Sequence, residues 1–149
     1  MTRASRPPER TPLMVLMEGA ARVLHDRFSE LMTEAGYTHS LTASKVMGSL
    51  TKEGVRLSDL ADRLGITKQS VGQVVDDLEA DGFVLRIPDP DDGRAKRIVI
   101  GPRGIEALPV AWQALRESDD LARQVLGDEG VDALRDALER VLARDAGGA

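Results

Sequence analysis

Hydrophobic residues recur at helical spacing along most of the chain, and the clearest pattern lies between residues 57 and 81. The apolar positions there form two groups, Leu57, Leu60, Ala61 and Leu64, then Val71, Val74, Val75 and Leu78. Each group follows the i, i+3, i+4, i+7 spacing that places side chains on one face of a helix. The region therefore predicts two short amphipathic helices connected by a turn.

The residues around this turn are suited to end one helix and begin the next. Gly65 follows the last apolar position of the first helix, where glycine can adopt the left-handed conformation that ends a helix. Ser58 is predicted to cap the first helix and Thr67 the second, because a hydroxyl oxygen can accept from the free amides of a first turn. The second helix is expected to run from about Lys68 to Asp81.

The pattern then becomes strand-like. Residues 83–87 and 96–100 are rich in β-branched and aromatic residues, and a run of turn formers from Pro88 to Ala95 separates them. Residues 55–57 can pair with this hairpin as a short third strand. Helix, turn, helix and hairpin in this order are the plan of a winged helix-turn-helix, which places its second helix in the DNA major groove.

The second helix has two chemically different halves. Its N-terminal half carries hydroxyl, amide and ammonium groups that can bond base edges and phosphates, whereas its C-terminal half is acidic. We therefore expect the N-terminal end to enter the groove. Gly72 is consistent with a close approach to DNA, and equally with a chance glycine. The candidate DNA-contacting residues are Thr67, Lys68, Gln69, Ser70, Gln73, Arg94, Lys96 and Arg97.

The hairpin loop is predicted to project as a wing with Arg94 near its tip. An arginine there can enter the minor groove, where a narrow A·T tract concentrates negative potential. Asp92 is expected to orient that guanidinium. Two roles remain open for Arg86, a DNA contact or a pair with the wing aspartates. Ser40 and Lys45 are weaker candidates for phosphate contacts.

Helical patterns also lie on both sides of this region. Residues 13–36 carry a wide apolar stripe, and residues 102–145 form two helical stretches, with a kink expected at Pro109 and a break at Gly127. A short helix over about 41–52 is expected to turn Leu41, Val46, Met47 and Leu50 inward. Residues 1–12, with three prolines and three arginines, are predicted to be a flexible basic arm, either a frayed terminus or a DNA contact.

Composition narrows the function. The net charge of −5 argues against indiscriminate coating of nucleic acid, so any DNA binding must come from a local basic surface. The chain has no cysteine and two histidines, His25 and His39, which leaves few residues for a metal site or a nucleophile. We expect no catalysis, no metal and no cofactor. The sequence shows neither a membrane-spanning run nor a signal peptide, so we expect a cytoplasmic protein with no membrane partner.

Two stretches carry a resemblance to a known family. The run from Leu57 to Val84 and the wing sequence Asp92-Gly93-Arg94-Ala95 resemble the multiple-antibiotic-resistance regulator (MarR) family. Gly101 departs from the family pattern, because a threonine usually caps the next helix there. The resemblance implies a mainly α fold with a small β-wing. We expect a single domain over 13–149 after the arm at 1–12, in which a winged helix-turn-helix lobe, 41–101, is flanked by dimerisation helices, 13–36 and 102–145.

The resemblance also implies partners. It implies a homodimer whose two recognition helices lie about 34 Å apart and bind an inverted-repeat operator in double-stranded DNA. It further implies a repressor released by a small effector, often aromatic or phenolic, with Tyr37, His39 and Trp112 as candidates for the ligand pocket. Trp112 also fits a packing role. The alternative is a winged-helix module that binds a protein and does not read DNA, which the acidic charge balance keeps open.

Overall fold

The computed structural model describes residues 10–146, which contain five helices and three strands. In chain order these are α1 (Leu13–Glu34), α2 (Leu41–Gly48), β1 (Val55–Arg56), α3 (Leu57–Leu64), α4 (Lys68–Ala80), β2 (Val84–Pro88), β3 (Lys96–Ile100) and α5 (Pro102–Ala146). The predicted mainly α architecture with a small β-wing is confirmed. Most of the arm predicted at 1–12 lies outside the described residues.

The ends of the short helices follow local chemistry. The hydroxyl of Thr67 accepts from the Ser70 amide at 3.1 Å, and Gly65 ends α3 with φ 64°, both as predicted. The predicted cap at Ser58 is wrong. Helix α3 begins at Leu57, directly after β1, so Arg56 occupies the cap position and makes no side-chain capping bond. Ser58 lies inside the first turn.

The three strands form an antiparallel sheet in the order β1-β3-β2. The predicted third strand at residues 55–57 is present as β1, with Val55 opposite Ile98 and Arg56 opposite Arg97. Strand β2 begins at Val84, one residue later than predicted, because the Phe83 amide still donates to the carbonyl of Leu78 at 2.8 Å and so completes the end of α4.

The core of the helix-turn-helix is aliphatic. The faces predicted to be apolar are buried here, with the sheet and α2 packed against them: Val46, Leu60, Ala61, Val71, Val75, Leu78, Val84 and Ile98. The inward position predicted for Leu41 is wrong, because this side chain is 45% exposed. Ala43 and Val46 define the buried face of α2, and two residues correspond to roughly 200° of helix rotation, so Leu41 lies on the opposite side from Ala43.

The chain divides into two compact units. Leu31–Trp112 forms one, and the described parts of Met1–Glu30 and Gln113–Ala149 form the other. Helix α5 contains a break at Gly127, where φ is 72° and ψ is 169°, as the sequence predicted. Helical dihedral angles continue through Pro109, where a kink was expected. None of the described helices is long and apolar enough to cross a membrane.

Candidate nucleic-acid interface

The N-terminal half of α4 presents an exposed polar surface. Lys68, Gln69, Ser70 and Gln73 are all exposed, so the side chains predicted to reach DNA are available on the surface of their helix. The Thr67 and Ser70 hydroxyl oxygens lie 2.8 Å apart and bond each other at the helix N-terminus. This pairing holds both hydroxyls at the end where the α4 amides and the positive end of the helix dipole favour an anion.

The wing tip is built by short backbone bonds. The Asp89 amide donates to the Ala95 carbonyl at 3.0 Å, and the Ala95 amide donates to the Asp92 carbonyl at 2.9 Å. The carboxylate of Asp92 accepts from the backbone amide of Arg94 at 3.0 Å. The sequence had suggested that Asp92 orients the Arg94 guanidinium. In the structure its carboxylate instead shapes the turn. The Arg94 side chain is exposed and has no ion-pair partner among residues 10–146.

A buried carboxylate lies at the base of the wing. Asp89, whose side chain is 0% exposed, accepts from Arg56 Nε at 2.6 Å and from Arg97 Nε at 3.0 Å. It also accepts from the Asp91 amide at 2.9 Å. Hydrogen bonds from Arg56 and then from Arg97 outweigh burial and hold the pKa of Asp89 well below its usual value, so Asp89 is ionised at neutral pH. We call Arg56, Asp89 and Arg97 the wing cluster.

The wing cluster changes the interpretation of Arg97. The sequence proposed this side chain as a DNA contact, and the structure gives it two carboxylate partners, Asp89 and Asp91, the second at 2.9 Å from Nη2. Lys96, by contrast, is exposed and has no ion-pair partner in the described part of the chain. Asp89 was not among the predicted site residues, because it is one of three aspartates in a Pro-Asp-rich loop and its partner Arg56 lies 33 positions earlier.

A second cluster connects α4 to the wing. The Arg86 guanidinium bonds Glu79, and its Nη2 lies 2.6 Å from Asp76 Oδ1, while the Arg86 amide donates to Glu79 at 3.1 Å. Burial lowers the pKa of Arg86, but these two carboxylates outweigh it and raise the pKa. Arg86 thus pairs with α4, and not with the wing aspartates considered earlier. We call Asp76, Glu79 and Arg86 the helix–strand cluster.

The residues predicted to line a ligand pocket separate into two environments. His39 lies edge-on to the Phe83 ring at 4.3 Å between centroids, and Tyr37 does so at 6.2 Å. Arg103 lies over the same ring, 4.7 Å from its centroid. Trp112 is 55% exposed and makes no ring contact with a described aromatic residue. The structure therefore brings Tyr37 and His39 together at Phe83, a residue that the sequence analysis did not select.

His39 is unusual within this aromatic group. Its Nε2 atom is buried and has no hydrogen-bond partner among the described residues. Burial lowers the pKa of His39; Asp81 opposes this effect and Arg103 adds to it. The imidazole is therefore held in its neutral form at neutral pH.

Gly101 and Gly104 allow α5 to begin directly against the end of α4. The Gly101 amide donates to the Phe83 carbonyl at 2.7 Å, and the Arg103 amide donates to the Gly82 carbonyl at 3.1 Å. A Cβ on Gly101 would lie 2.5 Å from the Gly82 oxygen, and one on Gly104 would lie 2.5 Å from the Phe83 oxygen. This contact gives a physical reason why the threonine expected from the family pattern is absent at position 101.

Together the helix-turn-helix, the three-stranded sheet and the projecting loop define a winged helix-turn-helix protein. Residues 40–95 match the family model described as "MarR family". A curated relative from Thauera aromatica, named "Putative transcriptional regulatory protein for hcr operon", is 29% identical over 93 residues. That match covers 62% of this chain and 56% of the relative, so the chain spans little more than half of the relative's length.

Several solved structures share the fold. Wild-type MarR from E. coli is 20% identical with a TM-score of 0.71, over 90% of this chain and 99% of that chain. A MarR-family protein of Mycobacterium tuberculosis in complex with salicylic acid is 23% identical with a TM-score of 0.69, over 89% and 98%. A mutant of MepR from S. aureus bound to an oligodeoxyribonucleotide is 18% identical with a TM-score of 0.57, over 91% and 99%.

The matched segment contains α2, the helix-turn-helix, β2 and most of the wing loop, and the chain as a whole has the MarR fold. The resemblance to the MarR family that the wing sequence suggested is thus found again over residues 40–95. The name of the curated relative describes a regulatory protein, in agreement with the expectation of no catalysis.

Proposed function

We propose that this protein is a sequence-specific DNA-binding transcriptional regulator that acts in the cytoplasm, where it would meet chromosomal DNA. The observation that carries the proposal is the exposure of two polar elements, the N-terminal half of α4 and the wing arginine Arg94, on a MarR-type fold. Thr67, Lys68, Gln69, Ser70 and Gln73 are proposed to enter the major groove. Arg94 is proposed to enter the minor groove, with Lys96 on phosphate. Arg97 is a weaker candidate for a DNA contact, because it already pairs with two carboxylates.

The proposal includes a two-fold homodimer that binds an inverted repeat. Helices α1 and α5 expose many large apolar side chains, which a second copy of the chain would bury: Leu13, Met14, Leu16, Val23, Ile105, Leu115, Val125, Leu134, Val141 and Leu142. Sedimentation at micromolar concentration tests this part. A dimer is expected, and a monomer would contradict it.

The proposal also includes a repressor that a small aromatic or phenolic effector releases. Support comes from the salicylic acid complex of the M. tuberculosis family member and from the Tyr37–His39–Phe83 group with its unsatisfied buried nitrogen. In this mechanism the effector binds better to a dimer with wrongly spaced recognition helices and so shifts the population away from DNA. Calorimetric titration with salicylate and related phenolic acids should give heat and a lower DNA affinity. No heat and no change in DNA affinity with any of these compounds would count against the effector.

An interaction module without DNA-reading activity is the second candidate. The specific observation that favours it is the pairing of Arg56, Arg86 and Arg97 with carboxylates on a chain of net charge −5. A protein partner of such a module would bind without the steep salt dependence that counterion release gives to DNA binding.

Selection of duplexes from a randomised DNA pool at roughly physiological salt separates the two candidates. Enrichment of an inverted repeat with half-sites about one helical turn apart would support a dimeric DNA reader. Binding without enrichment, lost steeply as salt rises, would indicate backbone attraction alone. No binding at any salt concentration would favour the interaction module.

A further inference from the structure

We propose that Asp89 is a positioning residue for DNA binding, which holds the wing so that Arg94 reaches the groove. This inference rests on the proposed function and deepens it. Asp89 does not face DNA in this interpretation, because its carboxylate is buried and already accepts hydrogen bonds from three residues. It acts through the two strands and the loop that those donors belong to.

Asp89 lies between two arginines of neighbouring strands. Arg56 of β1 and Arg97 of β3 are directly opposite each other in the sheet register. Like charges opposite each other on neighbouring strands destabilise the pairing of those strands. The carboxylate of Asp89 accepts from the Nε atoms of both arginines, at 2.6 and 3.0 Å, and so bonds both cations and offsets one of their two charges. Without it, Arg56 and Arg97 would face each other with Asp91, which pairs with Arg97, as the remaining carboxylate of this group.

Asp89 also connects the two sides of the wing loop. Asp89 opens the loop, accepts from the Asp91 amide, and through its own amide bonds the Ala95 carbonyl on the other side of the loop. Arg56 immediately precedes α3, the first helix of the helix-turn-helix. One carboxylate therefore joins both ends of the wing loop to the start of the DNA-reading unit, while Arg94 near the tip stays exposed.

Asp91 offers a matched control. It also accepts from Arg97, at 2.9 Å, but its side chain is 77% exposed. Asp89→Asn and Asp91→Asn each remove one negative charge from the wing and one partner of Arg97. If Asp89 were merely a charge that repels phosphate, both substitutions would leave DNA binding unchanged or make it tighter. A positioning role predicts weaker DNA binding for Asp89→Asn and not for Asp91→Asn.

The experiment measures affinity for a duplex that the unaltered protein selects from the randomised pool. We expect Asp89→Asn to weaken binding on the order of tenfold, as groups coupled in one network do, and Asp91→Asn to leave it equal or tighter. In an Arg94→Ala background, Asp89→Asn should cause little further loss, because the group it positions is gone. Equal behaviour of the two Asn variants would overturn the proposal, and so would the same loss in the Arg94→Ala background.

Two further measurements keep the test decisive. Hydrogen exchange in the free protein should show faster exchange of the Asp91 and Ala95 amides in Asp89→Asn than in Asp91→Asn, and equal exchange would overturn the positioning role. If Asp89→Asn does not fold, Arg56→Lys is used, because Arg56 also donates its Nε to Asp89 and is not a proposed DNA contact. It keeps the charge but loses the Nε bond. It should weaken DNA binding when Arg94 is present but not in the Arg94→Ala background. Equal losses in both would overturn the proposal.

Failure of the unaltered protein to select any duplex would overturn the proposed function, while hydrogen exchange would still decide whether Asp89 holds the wing.

Discussion

Arg86 Nη2 lies 2.6 Å from Asp76 Oδ1, so a strand of the wing donates directly to the recognition helix. Asp76 is on the acidic half of α4, the part of the helix that phosphate would repel. Through the helix–strand cluster, Arg86 pairs with both Asp76 and Glu79 and offsets one of their two negative charges. The acidic half of α4 is therefore less negative than its sequence suggests.

Replacing Arg86 should weaken DNA binding even if this residue never touches DNA. Arg86→Met leaves two carboxylates uncompensated on the recognition helix, and we expect a loss of about tenfold in affinity at low salt that shrinks as salt screens the charges. Asp76→Asn in the same chain should restore much of it. If Arg86→Met instead lowers the salt slope of binding by about one unit and Asp76→Asn restores nothing, Arg86 is a phosphate contact.

Arg94 is the wing residue with the largest expected direct effect. Arg94→Ala should cost on the order of 1–3 kcal/mol of binding free energy, as a lost groove contact does. Arg140→Ala, which removes an exposed arginine from α5, is the control and should bind as the unaltered protein does. Filter binding or fluorescence anisotropy with the selected duplex measures both, and an unchanged affinity for Arg94→Ala would remove the wing from the mechanism.

The short-range features of this fold could be predicted from sequence, because each depends on neighbours in the chain. The caps at Thr67 and Gly65 and the apolar faces of α3 and α4 are examples. The prediction at Ser58 was wrong because strand β1 ends directly at α3, and no local signal separates a cap from a first-turn serine.

The ion pairs of the candidate interface could not be predicted in the same way. Asp89 and Arg56 are 33 positions apart and meet only because β1 joins the far side of the hairpin. Several aspartates of the wing loop are equivalent in sequence, and burial alone distinguishes Asp89 from Asp91. For the same reason, Arg97 looked like a free cation until its partners were known.

The close contact at Gly101 predicts that a larger residue there destabilises the protein. Gly101→Ala places a methyl group against the Gly82 carbonyl oxygen and should destabilise the protein by about 1–3 kcal/mol, as overpacking does. Gly48→Ala is the matched control, since a Cβ there meets nothing within 4 Å. Urea denaturation compares the two variants, and equal free energies of unfolding would show that α5 can shift without cost.

Gly72 allows a test of how closely the recognition helix approaches DNA. A Cβ at this position meets only Leu57, at an ordinary contact distance of 3.8 Å, so Gly72→Ala should stabilise α4 by about 1 kcal/mol. Thermal denaturation measures that gain. A parallel loss of DNA affinity would indicate that the glycine is kept for backbone approach to DNA, whereas unchanged affinity would make it a chance residue.

His39 predicts a pH dependence of stability. Its pKa is lowered in the folded protein, so below the ordinary value of about 6.5 the unfolded chain binds more protons than the folded one. The free energy of unfolding should therefore fall as the pH drops below that value, by at most about 1.4 kcal/mol per pH unit from this one group.

His39→Phe keeps an aromatic ring against Phe83 without a titratable nitrogen and serves as the comparison. Urea denaturation between pH 5 and 7 should give a flatter curve for His39→Phe than for the unaltered protein. Parallel curves would mean that His39 titrates alike in both states and that its burial has no energetic consequence.

The pairing of Arg56, Arg86 and Arg97 inside the winged helix also bears on how such a regulator would search a chromosome. Non-specific attraction to DNA is almost entirely electrostatic and grows with each cation that can neutralise a phosphate. Three arginines already occupied by carboxylates add little to that attraction. Fewer copies would then be held on random sequence, so a larger share of a small cellular pool would stay available for the operator.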